Sequence, residues 1–146
     1  MCPTSDLLNK AEQISVDYHE DDRAQRVFNL FDLENGQINI SYVNSTSHIV
    51  AWHVHKIQTD YWFCPKGAFK VGLAEPQQGG GHKVRWEYLS DKNQRYLKIP
   101  PETYHGYKAL QPESIMLYFL TEKYDPEDEE KVPPGTFGEC WNTENK

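Results

Sequence analysis

Two histidines one residue apart lie near the middle of the sequence and could transfer a proton or bind a metal. His53 and His55 fall in an alternating stretch, residues 49–55, that is typical of a β-strand. Because alternate side chains of a strand point to one face, the two imidazoles should share a face with Ala51 and Ile57. Imidazole titrates near neutral pH and ligates divalent metals. The pattern therefore predicts that one strand presents both histidines to a pocket.

An aromatic run, residues 61–63, follows the histidines after a polar turn at 58–60. Aromatic residues favour strands, and Pro65 and Gly67 then end the run. Because only a short turn separates the two stretches, we expect them to pair as a β-hairpin with the histidines on one arm.

A carboxylate and a third histidine extend the pair into a possible set of metal ligands. Asp60 and His105, together with His53 and His55, offer the donor types that iron, manganese, nickel or zinc accept. Alternatively, these histidines are hydrogen-bonded core groups or bind a substrate. The residue types alone leave both alternatives open.

The elements that must position these residues are short strands separated by turns. Alternation or aromatic and β-branched bias predicts strands at 27–31, 38–42, 49–55, 61–63, 69–73, 84–86, 96–99, 104–109 and 115–120. The glycine-rich stretch 75–83 is predicted to be a flexible connector. Near-regular short strands without a long helix predict an all-β barrel or sandwich.

The two ends of the chain differ from the middle. Residues 1–25 are polar and are interpreted as an N-terminal arm with one short helix near 7–13. Residues 26–146 are interpreted as a single domain, because 146 residues support one core. After Tyr124 the acidic run DPEDEE begins a tail, whose charges are predicted to be a solvated surface.

Composition excludes several classes of protein. The formal net charge of -7 argues against a nonspecific nucleic-acid binder, which needs a cationic surface. Three widely spaced cysteines support neither a disulfide framework nor a zinc ribbon. No apolar run approaches the roughly 18 residues of a membrane span, and the N-terminus has no signal pattern. We therefore expect a cytoplasmic protein with reduced thiols and no membrane or nucleic-acid partner.

Two blocks of sequence resemble known families. With Gly67 and Pro100, the three histidines and Asp60 are spaced as in the two signature motifs of the cupin superfamily. The stretch 86–107 resembles the dTDP-4-dehydrorhamnose 3,5-epimerase family, and so do the residues around Tyr118. The matching positions are His53, Leu89, Ser90, Asn93, Arg95, Leu97, Ile99, Pro100, His105, Gly106, Tyr118, Thr121, Tyr124 and Pro126, and Trp52 stands where the family has a leucine.

This resemblance implies a nucleotide-sugar epimerase in a cupin barrel, a double-stranded β-helix or jelly roll, that is dimeric and needs no metal. Its substrate class is a nucleotide-linked 4-keto-6-deoxyhexose. His53 then corresponds to the base and Tyr118 to the acid. The expected substrate-binding residues are His55, Trp62, Arg95, His105, Lys108 and Tyr124. From the residue types alone, Tyr118 and Tyr124 could equally be aromatic core.

The sequence departs from the family at four places and also resembles a neighbouring family. Val50 stands where the family has an arginine, the lysine that stabilises the enolate has no clear equivalent, and the N-terminal Asp-Arg-Gly segment is absent. The carboxylate that orients the base in the family comes from a C-terminal region that does not align with this sequence. The run His53, His55 and Lys56 is similar to a segment of the sugar-nucleotide 3,4-ketoisomerases. The alternatives are therefore such a ketoisomerase, a metal-dependent cupin enzyme or a noncatalytic sugar-binding cupin.

Overall fold

The structure is a computed structural model that describes residue 15 and residues 17–30, 33–92 and 95–142. The described residues form eleven β-strands and one 3-10 helix, which confirms the all-β prediction. The strands are β1 Asp17–Glu20, β2 Ala24–Phe28, β3 Gln37–Val43, β4 Ile49–His55, β5 Asp60–Lys66, β6 Ala68–Pro76, β7 His82–Ser90, β8 Leu97–Ile99, β9 Tyr104–Ala109, β10 Ser114–Leu120 and β11 Glu129–Lys131; the 3-10 helix is Pro126–Asp128.

The strands form two antiparallel sheets with a cavity between them. The first sheet has the order β1-β2-β3-β10-β5-β8, and the second has the order β11-β4-β9-β6-β7. Between β4 and β10 the chain passes repeatedly from one sheet to the other, as in a double-stranded β-helix. This is the jelly-roll barrel that the cupin resemblance implies. Within the described residues no helix is long and apolar enough to cross a membrane.

The predicted hairpin between the histidine strand and the aromatic strand is wrong. β4 pairs with β9 and β11 in the second sheet, whereas β5 pairs with β10 and β8 in the first. The turn between them carries the chain across the barrel instead. Its backbone N–H groups at Lys56, Ile57 and Gln58 all donate to the carboxylate of Asp128, at 2.9 to 3.1 Å. A distant carboxylate therefore stabilises this turn, which a local pattern does not reveal.

β4 contains an irregularity that changes which side chains share a face. Its pairing with β9 shifts between Val50, opposite Tyr107, and His53, opposite His105. Across this shift Val50 packs on the larger hydrophobic core inside the barrel. Ala51 instead packs against a second cluster, which contains Trp52 and Trp141 and lies on the outer side of the sheet. The prediction that Ala51 shares the face of His53 is therefore wrong, because strict alternation fails at a bulge. Ile57 lies beyond the strand in the exposed crossing turn.

A second hydrophobic cluster covers the outer face of the second sheet. Its buried members are Trp52, Ala74 and Trp141, and Phe137 packs against them. A Cβ on Gly72 would lie 2.6 Å from Trp52 and 2.7 Å from Trp141, so only glycine lets both indoles approach the sheet here. The C-terminal segment thus packs on the barrel.

Two strands lie in segments that the sequence did not mark as sheet. β1 falls within the predicted arm, and β11 falls within the acidic tail. The helix predicted near 7–13 lies outside the described residues. In the tail, Asp128 is buried and Glu129 is half-buried, so the interpretation of these charges as a solvated surface is wrong at both positions. Each carboxylate has a partner elsewhere in the barrel, which is why it can leave solvent.

Candidate active site

A cavity of about 720 Å³ lies between the two sheets. The second sheet contributes His53 and His55 from β4 and His105 from β9, and the first contributes Asp60 from β5 and Tyr118 from β10. The volume lies within the range of small-molecule sites, roughly 300 to 1,000 Å³. Most of the residues that the sequence analysis predicted as catalytic, substrate-binding or metal-ligating therefore line this cavity.

His53 forms an ion-pair geometry with a carboxylate that the sequence analysis missed. Its Nδ1 lies 2.8 Å from Oε1 of Glu129, which β11 brings alongside β4. The hydrogen bond to His53 lowers the pKa of Glu129, so this carboxylate is ionised and accepts the proton on Nδ1. In the neutral imidazole Nε2 is then the unprotonated nitrogen. The pair has the arrangement of a histidine general base held by a carboxylate.

Tyr118 lies on the opposite sheet and is suited to donate a proton. Its hydroxyl lies 3.1 Å from Oγ of Ser41, and its ring contacts Trp62 edge to face. Burial raises the pKa of the phenol, so Tyr118 keeps its proton at neutral pH. The cavity thus has a histidine–carboxylate pair on one wall and a protonated phenol on the other.

Three of the four predicted metal ligands form a compact cluster. One donor atom from each of His55, Asp60 and His105 lies within 4.8 Å of the other two. Nε2 of His105 is 3.6 Å from Oδ2 of Asp60, and both side chains are about 95% buried. The cluster does not include His53, whose Nδ1 is hydrogen-bonded to Glu129.

Hydrogen bonds from neighbouring groups hold the cluster in place. Nδ1 of His105 donates to the backbone carbonyl of Thr103 at 3.0 Å. The amide of Gln58 donates to Asp60 at 2.7 Å, and the indole of Trp62 donates to the same carboxylate at 3.1 Å. Burial lowers the pKa of His105, so its Nε2 carries a lone pair and cannot donate a hydrogen bond. His105, which the sequence analysis gave as a substrate-binding residue, can thus accept but not donate a hydrogen bond through Nε2.

The other predicted binding residues divide between the cavity and the exterior. Trp62 is buried in the cavity wall, and Tyr124 is at its rim with 68% of its surface exposed. Lys108 alternates with Tyr107, which lines the cavity, so its side chain points to the opposite face of β9. Arg95 is exposed in the connection before β8 and does not line the cavity. Asn93 lies outside the described residues.

Two other arginines supply positive charge at the cavity. Arg23 and Arg26 both line it, and both bind the carboxylate of Asp21, at 2.8 and 3.1 Å. Sequence reasoning missed Arg26 because the predicted sheet began after it. The alternation of Ala24 and Arg26 could have revealed this residue, because β2 starts at Ala24 and both side chains point inward.

Comparison with known proteins identifies the family of this chain. A sequence model described as dTDP-4-dehydrorhamnose 3,5-epimerase matches residues 13–136. The chain belongs to this family.

The spore coat polysaccharide biosynthesis protein SpsL of Bacillus subtilis (strain 168) is 35% identical over 103 residues, which are 66% of this chain and 68% of SpsL. The probable low-salt glycan biosynthesis epimerase Agl13 of Haloferax volcanii is 34% identical over 89 residues, 57% of each chain. The match thus spans little more than half of Agl13.

A solved structure confirms the fold. The dTDP-4-dehydrorhamnose 3,5-epimerase of Bacillus anthracis str. Ames, determined with TDP and PPi bound, superimposes with a TM-score of 0.67 at 20% identity. The superposition covers 90% of this chain and 93% of that one. The barrel that the family resemblance implied is therefore confirmed, while the family itself is shown by the match of the sequence model.

Proposed function

We propose that this protein is an isomerase that epimerises a nucleotide-linked 4-keto-6-deoxy sugar by removing a proton next to its ketone. The observation that carries the proposal is the His53–Glu129 pair facing a cavity whose opposite wall contains Tyr118. Membership of the epimerase family supports the reaction class. The particular hexose, the nucleotide and the number of carbons epimerised belong to the proposal.

The reaction follows from the protonation states of these groups. Nε2 of His53 takes the proton from the carbon beside the ketone, and the C–H electron pair moves to the carbonyl oxygen to form an enolate. Glu129 accepts the Nδ1 proton in a hydrogen bond and stabilises the imidazolium. Tyr118 then donates its proton to the same carbon from the opposite wall. Because the proton leaves on one face and returns on the other, the configuration of the carbon inverts.

The cations near the cavity support a substrate that carries a nucleoside diphosphate. Arg23 and Arg26 present planar guanidinium groups, which suit phosphate oxygens, and Lys131 adds a third cation. Tyr124 at the rim can stack on a base. We assign the phosphate contact to these cations in place of Arg95, which the sequence analysis gave as a substrate-binding residue and which does not line the cavity.

A 3,4-ketoisomerase is the second candidate, and the position of His55 favours it. His55 faces the cavity on the same strand as His53, so two imidazoles could move protons between neighbouring ring carbons. The two reactions differ in product: an epimerase retains the ketone at carbon four, whereas a ketoisomerase moves it to carbon three. Product analysis by NMR therefore separates them.

We also propose a homodimer, formed through the outer face of the first sheet. Apolar side chains from β3, β10 and β5 lie opposite one another there in the strand register. They are Ile38, Ile40, Tyr42, Tyr61, Phe63, Ile115, Leu117 and Phe119, of which Tyr42 is exposed and the others are half-buried. A contiguous apolar face of this kind is typical of a protein interface. Light scattering should give a dimer mass for the wild type and a monomer mass for Leu117→Glu.

A cytoplasmic location is the remaining part of the proposal. Cys64 and Cys140 are free thiols, of which Cys64 is buried. Free thiols are the usual state of cysteine in a reducing compartment.

Hydrogen exchange tests the proposed reaction directly. The protein is incubated with dTDP-4-keto-6-deoxyglucose in deuterated water, and NMR follows deuterium entry at carbons three and five. We expect exchange with the wild type and a loss of about 10²- to 10⁴-fold in His53→Gln, the usual contribution of a general base. His82→Gln, which changes an exposed histidine of β7, is the matched control and should exchange like the wild type.

Two outcomes would overturn parts of this proposal. Exchange at the wild-type rate in His53→Gln would remove His53 as the base. A wild-type protein that binds keto sugar nucleotides but exchanges none of their ring hydrogens would instead be a noncatalytic sugar-binding module.

A further inference from the structure

Asp128 is a buried carboxylate that the proton transfers described above do not use. It is 9% exposed and ends the 3-10 helix Pro126–Asp128. Its Oδ1 accepts from the backbone N–H groups of Lys56 and Ile57, at 2.9 and 3.0 Å, and its Oδ2 accepts from that of Gln58, at 3.1 Å. Hydrogen bonds to an ionised carboxylate are among the strong ones in proteins. One side chain therefore joins two segments that are 70 to 72 residues apart in the sequence.

The residue after Asp128 is the carboxylate partner of the proposed base. Glu129 begins β11 and lines the cavity, where its Oε1 lies 2.8 Å from Nδ1 of His53. Asp128 instead lines a small pocket on the outer side of the sheet, together with Glu130. The carboxylates of Asp128 and Glu129 thus point to different sides of the chain, so a substrate in the cavity contacts the second and not the first.

β11 depends on anchors at its ends because it is a short strand at the edge of its sheet. It has three residues and pairs with β4. Segments with few ladder hydrogen bonds open easily. At the C-terminal end of β11, the backbone of Val132 exchanges two hydrogen bonds with Trp52, at 2.8 and 3.1 Å. At the N-terminal end the anchor is the carboxylate of Asp128 on the turn that follows β4.

The turn that Asp128 binds is itself held against the cavity wall. The side-chain amide of Gln58 donates to Asp60 at 2.7 Å. The next residue, Thr59, donates its N–H to Oγ1 of Thr121 at 2.9 Å, and its carbonyl accepts from the N–H of Thr121 at 3.1 Å. Because these contacts fix the turn relative to β5 and β10, the carboxylate of Asp128 also fixes the start of β11.

We propose that Asp128 is a positioning residue for the reaction, which holds Glu129 within hydrogen-bond distance of His53. This inference rests on the proposed function, in which His53 is the base. An amide at position 128 cannot replace the carboxylate, because its NH₂ group donates and would face backbone N–H groups that also donate. At least one of the three N–H groups of the turn would then lose its partner.

Exchange kinetics of a single and a double variant test the proposal. With dTDP-4-keto-6-deoxyglucose in deuterated water, Asp128→Asn should slow deuterium entry about tenfold, while the Michaelis constant stays within about twofold. The double variant Asp128→Asn/Glu129→Gln should be no slower than Glu129→Gln alone, because Asp128 acts only through Glu129. A residue that only stabilised the fold would add its own loss to that of Glu129→Gln.

Asp125→Asn is the matched control for the change of charge. Asp125 is the N-cap of the same 3-10 helix, and its side chain accepts from the N–H of Glu127 at 3.0 Å. Asparagine also caps helices well, so this variant removes a carboxylate without removing the cap. We expect it to exchange substrate hydrogens at the wild-type rate.

Nuclear magnetic resonance of the histidine rings gives a readout that does not depend on turnover. In protein with isotopically labelled histidine, the Nδ1 proton of His53 should give a downfield resonance because Glu129 accepts it. Its disappearance in His53→Gln assigns this resonance. We expect it in the wild type and in Asp125→Asn, and we expect its loss in Asp128→Asn that circular dichroism shows to be folded.

The failure of this inference and the failure of the proposed reaction give different results. If Asp128→Asn loses the resonance but the wild type exchanges no substrate hydrogen, Asp128 positions Glu129 and the proposed reaction is overturned. An unchanged resonance in Asp128→Asn, or multiplied losses of rate in the double variant, would overturn the positioning role.

Hydrogen exchange of the wild-type backbone decides the question if Asp128→Asn does not fold. The amides of residues 56–58 and 128–132 should open together, because the carboxylate of Asp128 joins the two segments. Separate opening free energies for the two segments would overturn the proposal.

Discussion

The two faces of β4 differ sharply in what they contact. On the outer face, Trp52 is fully buried and its ring lies 5.1 Å from that of Trp141. On the inner face, His53 and His55 line an open cavity and contact polar and aromatic partners. Neighbouring residues of one strand thus serve packing on one side and chemistry on the other.

The outer face also determines the geometry of the inner one. The backbone of Trp52 exchanges two hydrogen bonds with Val132, at 2.8 and 3.1 Å. Val132 directly follows β11, the strand that brings Glu129 to His53. At the far end of the same segment, Lys70 donates to the carbonyl of Asn142. The aromatic layer of Trp52, Phe137 and Trp141, together with the backbone pairing of Trp52 and Val132, therefore holds the strand that brings Glu129 to His53.

The largest expected effect is a loss of stability when the buried indole is removed from the outer face of β4. Trp52→Ala removes a fully buried indole between the sheet and Trp141, so we expect it to lower the free energy of unfolding by about 3 to 5 kcal/mol. Urea denaturation monitored by circular dichroism measures this change. His53→Gln, one residue along, should change the same quantity by less than about 1 kcal/mol, because the site is partly exposed and polar.

A similar loss of stability in both variants would contradict the division between the faces. A small loss in Trp52→Ala alone would show that the segment 132–142 does not depend on the aromatic layer.

A smaller effect on the reaction is expected at Glu129, which lies on the strand held by the outer face and contacts His53 on the inner face. Glu129→Gln keeps the shape of the side chain but removes the charge that stabilises the imidazolium of His53. We expect solvent exchange into the substrate to slow at least tenfold, which is about 1.4 kcal/mol in the barrier. Glu130→Gln makes the same change at the next residue, which faces the outer side, and should leave the exchange rate unchanged.

An intact rate in Glu129→Gln would mean that the carboxylate does not assist the base. If Michaelis constants rise while the rate constant is kept, Glu129 contributes to substrate binding rather than to proton transfer.

Most strands were predictable from the sequence because alternation is a local property. The strands around His53, Trp62, His105 and Tyr118 all lie within a few residues of their predicted positions. The failures share one cause, which is that strand partners are set by distant residues. The turn after His55 resembled a hairpin, yet it crosses the barrel because Asp128 accepts its N–H groups.

The site was predictable in its residue types but not in its pairings. His53, Asp60, His105 and Tyr118 all line the cavity, as their types and the family resemblance indicated. Glu129 could not be found, because it is 76 residues from His53 and sits in an acidic run typical of solvated surface. Lys108 is close to His105 in the sequence, but this closeness does not determine its face, and its side chain points away from the cavity.

The smallest expected effect is on the stability of the protein in acid. It measures how much the contact between Glu129 and His53 contributes to that stability. The hydrogen bond to His53 lowers the pKa of Glu129 below its usual value of 4.5. A carboxylate with a lowered pKa stabilises the folded state above its unfolded pKa, and the contribution is lost as the pH falls through the folded value. The free energy of unfolding should therefore fall less steeply below pH 4.5 in Glu129→Gln than in the wild type. Urea denaturation at several pH values measures the slopes, with Glu130→Gln as the charge-matched control. Parallel slopes in the wild type and Glu129→Gln would show that the contact with His53 contributes no stability, and would leave the aromatic layer alone responsible for holding β11.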